Sequence, residues 1–154
     1  MKRETKNQNI ISGAPTRILL VSADFYPEVT DEMKAGARAA LKEAGTDFDE
    51  ISVAGAFEIP PAIAIALSSG KYDGFVALGC VIRGETTHYD YVCGESARGV
   101  MELNITRKAC IGNGILTVEN MQQAMARAKV SEGNKGRDAA GAALQLVALK
   151  RKFS

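Results

Sequence analysis

The sequence predicts a three-layer α/β/α sandwich around a four-stranded parallel sheet. Four short apolar runs, the pattern of strands buried on both faces, alternate with longer stretches in which apolar residues recur at helical spacing. This alternation is typical of a parallel sheet with helices on both faces. The 154 residues of the chain suffice for one domain of this kind. Together these observations predict a flavodoxin-like fold.

The first half of the chain supplies two strands and two helices. A near-continuous apolar run at 17–23 predicts the first strand. A helix follows from Pro27, with apolar residues at helical spacing until Gly45, the residue type that helices favour just past their C-terminus. A short second strand is predicted at 51–54 and a second helix at about 60–69, whose two prolines suit a first helical turn.

The second half of the chain repeats the alternation. The apolar run at 74–81 predicts a third strand, and the helix predicted at 89–104 has the most regular apolar period of the chain. A fourth strand is predicted at 109–117. Two further helices follow, one beginning at Val118 and the other running from about 136 to 150.

The predicted domain follows a mostly polar N-terminal arm. We expect residues 1–14 to form a flexible arm and residues 15–154 to form a single α/β domain. The arm lacks the continuous apolar segment of a secretory signal, and no apolar run approaches the ~20 residues that cross a bilayer. We therefore expect a cytoplasmic protein.

Charge and cysteine content argue against several classes of function. Lys plus Arg number 19 and Asp plus Glu number 18, whereas nucleic-acid binders that neutralise phosphates have a basic excess. Cys80, Cys93 and Cys110 are odd in number and lack CxxC spacing, so we expect reduced thiols and no zinc site. A single histidine without other ligands at metal-binding spacing also argues against a metal.

Two helical segments are more apolar than a monomer of this size requires. Residues 59–67 carry no charge, and the last helix has two apolar stripes, one with Ala140 and Leu144 and one with Ala139 and Leu146. A helix that is apolar on all sides needs cover on two faces, and one sheet covers only one. We expect a homo-oligomer, although alanine is also simply a good helix former.

Candidate ligand-binding residues follow the predicted strands, because ligands of open α/β sheets bind beyond the carboxyl ends of the strands. We expect four such segments to converge along one edge of the sheet. They are Asp24-Phe25-Tyr26, Gly55-Ala56-Phe57-Glu58, Ile82-Arg83-Gly84-Glu85-Thr86-Thr87-His88 and Gly112-Asn113-Gly114, the last of which lies within or near the predicted fourth strand.

The third segment has the composition of an anion site. Gly84 permits close backbone approach, Thr86 and Thr87 offer hydroxyls, and the N–H groups at the start of the next helix attract a phosphate. The same residues would serve equally well to cap that helix. The sequence contains no Walker or dinucleotide-type glycine loop. The residues alone therefore predict a small, phosphorylated ligand at a sheet edge.

Four side chains each have a chemical and a structural interpretation. His88, the only histidine, is either a proton carrier at neutral pH or a structural side chain. Phe25 is a stacking platform for a flat ring or a core aromatic. Glu58 accepts hydrogen bonds from a polyol or favours a helix start. Arg127 clamps a phosphate or is a solvated charge near a helix end.

Four segments, in order along the chain, resemble the lumazine synthase family of riboflavin synthesis. The resemblance covers nearly the whole chain from about residue 14. The segments are Gly55-Ala56-Phe57-Glu58-Ile59-Pro60, Gly79-Cys80-Val81-Ile82-Arg83-Gly84-Glu85-Thr86-Thr87-His88-Tyr89-Asp90-Tyr91-Val92, Gly114-Ile115-Leu116-Thr117 with Glu119-Asn120, and Gly133-Asn134-Lys135-Gly136.

The resemblance implies a condensation of 5-amino-6-(D-ribitylamino)uracil with 3,4-dihydroxy-2-butanone 4-phosphate. The products would be 6,7-dimethyl-8-ribityllumazine, inorganic phosphate and water. The family uses neither a metal nor an organic cofactor. Its members form pentamers with active sites between neighbouring subunits, and some assemble these pentamers into hollow shells.

The resemblance also implies which residues hold the pyrimidine and the ribityl chain. Phe25 would stack on the pyrimidine ring. The backbone at Ala56-Phe57 and the carboxylate of Glu58 would hold the ring and the ribityl chain. The backbone at Cys80-Val81-Ile82 would line the pyrimidine pocket.

A second group of residues is implied for the phosphate and for proton transfer. Gly84-Glu85-Thr86 would hold the phosphate, assisted by Arg127 across a subunit boundary. His88 would carry protons during imine formation and phosphate loss. Lys135 would be a further contact.

The sequence departs from the family pattern at two places. Many relatives have a phenylalanine at position 113 that covers the pyrimidine from the next subunit, whereas this chain has Asn113, which offers less stacking area and implies weaker substrate binding. Shell-forming relatives usually have Gly-Thr-Lys-Ala or similar before Gly133. Here the residues are Lys129-Val130-Ser131-Glu132, so we expect an isolated homopentamer.

Three alternatives stay open on the sequence alone. A paralogue that binds lumazine or flavin with little catalysis would accommodate Asn113, although the retained His88, Glu85-Thr86 and Arg127 favour an enzyme. A shell scaffold would form a large particle in solution. A flavin carrier would purify with a yellow, redox-active chromophore.

Overall fold

A computed structural model describes residues 15–154. Four strands form one parallel sheet in the order β2-β1-β3-β4. The strands are β1 (Arg17–Ala23), β2 (Asp47–Val53), β3 (Gly74–Ile82) and β4 (Ile111–Val118). The helices are α1 (Pro27–Glu43), α2 (Ile59–Leu67), α3 (His88–Thr106), α4 (Met121–Ala128) and α5 (Lys135–Lys152). The predicted arm of residues 1–14 lies outside the described residues.

The sheet separates two apolar cores, which confirms the predicted three layers. Alternate residues of a strand point to opposite faces of its sheet. Ile18 and Leu20 of β1 accordingly pack with α1, α4 and α5, whereas Leu19 and Val21 pack with α2 and α3. The apolar runs that predicted buried strands therefore supply both cores.

The second strand begins earlier than the sequence predicts. Instead of 51–54, β2 spans Asp47–Val53. It is an edge strand with mostly exposed residues, so acidic side chains interrupt its apolar pattern. The strand residues that the prediction left out pair with β1. Arg17 lies opposite Asp47 and forms an ion pair of 3.1 Å with Asp49.

The fourth helix begins later than predicted. Val118, expected to begin a helix, is the last residue of β4 and lies opposite Ile82 of β3. The helix starts at Met121, where the side chain of Asn120 accepts a hydrogen bond of 2.9 Å from the backbone N–H of Gln123. This N-cap satisfies a backbone donor that has no partner within the helix, and so fixes where the helix begins.

The Gly133-Asn134-Lys135-Gly136 motif packs α5 against its neighbours. A Cβ on Gly136 would overlap the carbonyl oxygen of Met33 in α1, and one on Gly133 would lie 2.8 Å from the Cα of Arg127. Only glycine permits such close approach of two backbones. The motif thereby fixes where α4 and α5 place Arg127 and Lys135.

Candidate active site

A cavity of about 390 Å³ lies beyond the carboxyl ends of β1 and β3. We call it cavity one. Among its lining residues are ten of the residues predicted from the sequence: Phe25, Ala56, Phe57, Glu58, Cys80, Val81, Ile82, Gly84, Thr86 and His88. Tyr26, Tyr89 and Val92, which lie in the segments quoted above but were given no role there, also line it, as does Ala54, which the sequence analysis did not predict as a site residue. Three of the four segments that follow strands thus meet at one place.

The Phe25 ring stands at the mouth of cavity one and is 69% exposed. It packs edge-on against Tyr26, with ring centroids 5.0 Å apart. Because its other surfaces are open, the ring is available for stacking on a flat ligand.

Asp24, directly before Phe25, anchors the turn that carries this ring. Its Oδ2 accepts a hydrogen bond of 2.7 Å from the Ser52 hydroxyl, and its Oδ1 lies 3.1 Å from the Lys34 ammonium. Burial works against the charged form, but hydrogen bonds from Ser52, Lys34 and Thr30 together hold the pKa of Asp24 below its usual value. The sequence analysis placed Asp24 in a candidate ligand-binding segment but did not predict this anchoring role. Its only sequence signal is an acidic residue immediately after a buried strand.

A short 3₁₀ turn, Ala56–Glu58, forms a second wall of cavity one. The backbone N–H of Glu58 donates to the carbonyl of Gly55 at 3.1 Å, and the helix α2 begins at the next residue. Within residues 15–154, no group hydrogen-bonds the Glu58 carboxylate, so both of its oxygens are free to accept from a ligand. The Phe57 ring faces His88 across this wall.

The turn between β3 and α3 forms the third wall. The Thr86 hydroxyl accepts a hydrogen bond of 3.3 Å from the backbone N–H of His88, whereas the side chain of Thr87 makes no capping bond. Thr86 therefore accepts from a backbone N–H at the start of α3, as the helix-cap interpretation expects, whereas Thr87 does not. Glu85 is exposed and is not among the residues that line cavity one.

Cys80 borders cavity one, but its thiol is buried among the core residues of β3. Burial, with smaller contributions from Cys93 and Glu28, raises the pKa of this thiol to about 11. Burial also raises the pKa of the Cys93 and Cys110 thiols. All three are free cysteines and are protonated at neutral pH, so none is an activated nucleophile.

Asn113, Arg127 and Lys135 line a second cavity, of about 480 Å³, between β4, α4 and α5. We call it cavity two. Arg127 donates from Nη1 to the carbonyl of Gln123 at 3.0 Å, and Lys135 lies 3.3 Å from an Asp138 carboxylate oxygen. Within one chain, the two cations therefore lie in a different cavity from His88.

The predicted convergence of four segments at one sheet edge is wrong for the last of them. Asn113 is the third residue of β4 and pairs with Ala77, well before the carboxyl end of the strand at Val118. Its side-chain oxygen accepts a hydrogen bond of 3.0 Å from the backbone N–H of Ile115. β4 ends at Val118, one residue later than predicted, and Asn113 lies inside the strand, where it lines cavity two and does not reach the carboxyl edge.

No group of three or more His, Cys, Asp or Glu side chains among residues 15–154 is arranged to hold a metal ion. None of the helices in that part of the chain is long and apolar enough to cross a membrane.

Comparison with known proteins gives consistent matches. A family model described as 6,7-dimethyl-8-ribityllumazine synthase matches residues 15–151. A protein of that name from Methylorubrum populi is 56% identical over 145 residues, which cover 91% of this chain and 86% of the relative. One from Azorhizobium caulinodans is 51% identical and covers 96% of both chains. 6,7-Dimethyl-8-ribityllumazine synthase 1 from Rhizobium meliloti is 52% identical, with 90% of this chain and 94% of the relative covered.

Proposed function

The chain belongs to the 6,7-dimethyl-8-ribityllumazine synthase family, and we propose that its active site combines cavity one of one subunit with cavity two of the next. It is a transferase of riboflavin biosynthesis that condenses 5-amino-6-(D-ribitylamino)uracil with 3,4-dihydroxy-2-butanone 4-phosphate. The products are 6,7-dimethyl-8-ribityllumazine, phosphate and water. The observation that carries the function is 56% identity over 91% of the chain.

Cavity one holds the pyrimidine and the ribityl chain in this proposal. Its volume of about 390 Å³ lies within the usual range for small-molecule sites. The exposed Phe25 ring stacks on the pyrimidine, and the backbone of Ala56-Phe57 and of Cys80-Val81-Ile82 borders the ring. The unpaired Glu58 carboxylate accepts hydrogen bonds from ribityl hydroxyls, since an ionised carboxylate accepts and never donates.

The phosphate of the second substrate binds at the turn before α3. Gly84 and Thr86 line cavity one there, and the positive end of the helix dipole favours an anion. Because a carboxylate repels a phosphate, Glu85 contributes through its backbone N–H. Arg127 of the neighbouring subunit supplies a planar fork for two phosphate oxygens, and Lys135 adds a second positive charge.

His88 carries protons between the reacting groups. It lies at the first residue of α3, beside Thr86 and against Phe57, and thus between the phosphate turn and the pyrimidine wall. Imine formation requires a proton for the departing water, and phosphate loss requires removal of a proton from carbon. An imidazole performs both transfers at neutral pH. Orientation of the two substrates supplies much of the remaining acceleration.

The surfaces of α2 and α3 support a subunit contact. Ile65, Met101 and Ile105 are 76%, 57% and 60% exposed in the single chain. Contiguous exposed apolar surface marks an interaction site, and Met101 and Ile105, four residues apart in α3, lie on one face of that helix. A contact repeated between two different faces of the chain forms a closed ring when its rotation closes. We propose an isolated homopentamer located in the cytoplasm.

A direct assay tests the function. Both substrates are mixed with purified protein and a metal chelator, and lumazine formation is followed by absorbance and fluorescence against the slow uncatalysed reaction. A clear acceleration, with a solution mass near five times the 16.4 kDa chain, is expected. A rate equal to the uncatalysed one overturns the enzymatic function. A mass of a monomer or of a large shell overturns the pentamer.

A further inference from the structure

The turn of residues 83–88 has no buried side chain to hold it in place. All six residues are exposed. Apart from its chain neighbours, no atom of the described residues lies within 4 Å of the point where a Cβ on Gly84 would stand. Yet this turn carries the proposed phosphate contacts and ends at His88, so its geometry has to be fixed by other means.

The guanidinium of Arg83, the first residue of the turn, makes contacts on three sides. Its Nε donates to Glu119 Oε2 at 2.7 Å, and its Nη1 lies 3.6 Å from Asp90 Oδ1. Its Cζ stands 4.3 Å from the centroid of the Tyr89 ring. Tyr89 and Asp90 are the two residues directly after the turn. The side chain of Arg83 therefore joins the start of the turn to the residues just beyond its end.

Glu119 ties the same guanidinium to the neighbouring strand. It directly follows β4, and its backbone N–H donates to the side-chain oxygen of Gln123 at 2.8 Å. The backbone N–H of Arg83 donates to the carbonyl of Val118 at 3.0 Å. Backbone and side chain of Arg83 thus both attach the turn to the carboxyl end of β4.

We propose that Arg83 is a positioning residue for the reaction, holding the phosphate turn and His88 in place through Glu119, Asp90 and Tyr89. The inference rests on the proposed active site. The carboxylates of Glu119 and Asp90 already pair with the guanidinium, so its positive charge is not free to bind the substrate phosphate. A planar guanidinium bonds in two directions and stacks on a ring at the same time, whereas the single ammonium of lysine does not reproduce this geometry.

The expected effect is on activity and not on stability. Exposed ion pairs contribute little to the free energy of unfolding, and Arg83 and Glu119 are 43% and 55% exposed. A small misplacement of a reacting group, however, lowers the rate strongly. Arg83→Lys should therefore reduce kcat/KM for the phosphate substrate by about 10-fold or more. The KM for the uracil substrate should change little, since Phe25 and Glu58 lie on other elements.

A matched control is Arg38→Lys. Arg38 of α1 donates to Glu50 of β2 at 2.7 Å and so also joins two elements through an exposed ion pair. It does not line either cavity. Its kinetic constants should equal those of the unmodified protein.

Glu119→Gln separates positioning from direct phosphate binding by Arg83. If Arg83 positions the turn, the weaker hydrogen bond to a neutral amide should lower kcat/KM for the phosphate substrate. If Arg83 instead binds the phosphate, loss of the competing carboxylate should leave the KM of that substrate unchanged or lower it. The second result overturns the inference.

The measurement is steady-state kinetics of the intact oligomer, with both substrates varied and the solution mass and Tm recorded for each variant. Substrate-selective loss in Arg83→Lys and Glu119→Gln, with unchanged mass, is the expected result. Unchanged kinetics in an active protein overturns the inference alone, whereas an inactive unmodified protein overturns the proposed function. If Arg83→Lys alters the solution mass of the oligomer, the test rests on the kinetics of Glu119→Gln and Asp90→Asn instead. Full activity in both of these variants overturns the inference.

Discussion

The imidazole of His88 meets the ring of Phe57 edge-on, with centroids 5.9 Å apart and ring planes inclined by 63°. The two rings come from different elements, His88 from the start of α3 and Phe57 from the 3₁₀ turn before α2. Aromatic pairs in this arrangement contribute about 0.5–1.5 kcal/mol beyond their buried area. The contact therefore restricts the imidazole to one side of cavity one, where the proposed substrates meet.

Replacement of His88 tests its role in proton transfer. His88→Ala should slow turnover by about 10- to 10³-fold, the scale of general acid–base effects. Part of the catalysis should survive, because the remaining residues of the cavity still orient both substrates. The measurement is kcat across pH 6–8 for the variant and the parent protein. Equal rates throughout that range would make His88 a structural residue.

Introduction of an aromatic ring at position 113 tests the consequence of the asparagine there. Asn113→Phe should lower the KM for the uracil substrate by about 2- to 10-fold, since a stacked ring contributes about 0.5–1.5 kcal/mol. Asn113→Ala is the control, because it removes the amide that accepts from Ile115 without adding a ring. A KM that is unchanged or raised in Asn113→Phe would remove a stacking role for this position.

The thiol of Cys80 should be unreactive near neutral pH. Burial raises its pKa to about 11, so about one thiol in 10⁴ is ionised at pH 7. In a protein with Cys93→Ser and Cys110→Ser, labelling by a disulfide reagent should be slow at pH 8 and should accelerate as the pH approaches 11. Cys80→Ala should keep the parent kcat, because the proposed contribution of Cys80 is its backbone. Rapid labelling at pH 8 would contradict this assignment.

The sequence predicts those parts of the fold that depend on local pattern. The apolar residues of β1 and β3 are buried, so their runs identified both strands, whereas the exposed edge strand β2 was found only in part. In the candidate site, residues that directly follow β1 and β3 were placed correctly. Asn113 was expected to join them at the sheet edge although it lies within the predicted fourth strand, and a residue in the middle of a strand does not reach that edge.

Sequence patterns do not predict contacts between residues that lie far apart along the chain. Arg83 and Glu119 are 36 residues apart, and no spacing rule links residues that meet only through the pairing of β3 with β4. The same holds for Ser52 and Asp24, 28 residues apart on neighbouring strands.

Two glycines of α5 should respond in opposite directions to alanine. A Cβ on Gly136 would overlap the backbone of Met33, so Gly136→Ala should lower the free energy of unfolding by about 1–3 kcal/mol. Apart from its two chain neighbours and the nearby backbone of its own helix, no atom of the described residues lies within 4 Å of the point where a Cβ on Gly141 would stand. Gly141→Ala should therefore raise that free energy by up to about 1 kcal/mol. Denaturant unfolding measures both, and a change of the same sign would contradict the packing described for α5.

Subunit complementation tests whether the active site is shared. His88 lines cavity one and Arg127 lines cavity two, so His88→Ala and Arg127→Ala damage opposite halves of each proposed site. In a ring of repeated contacts, a random equal mixture of the two chains gives about one intact site in four. Co-expressed chains with different affinity tags should therefore recover about a quarter of the parent activity, well above either variant alone.

The control pairs His88→Ala with Glu58→Ala, two changes in the same cavity. Every site in that mixture receives one damaged cavity one, whichever chains are neighbours, so no recovery is expected. Recovery in the first mixture and none in the second requires that one subunit supplies His88 and another supplies Arg127 to the same site. Absence of recovery in both, with hybrid oligomers recovered through the two tags, would place each complete site within a single chain.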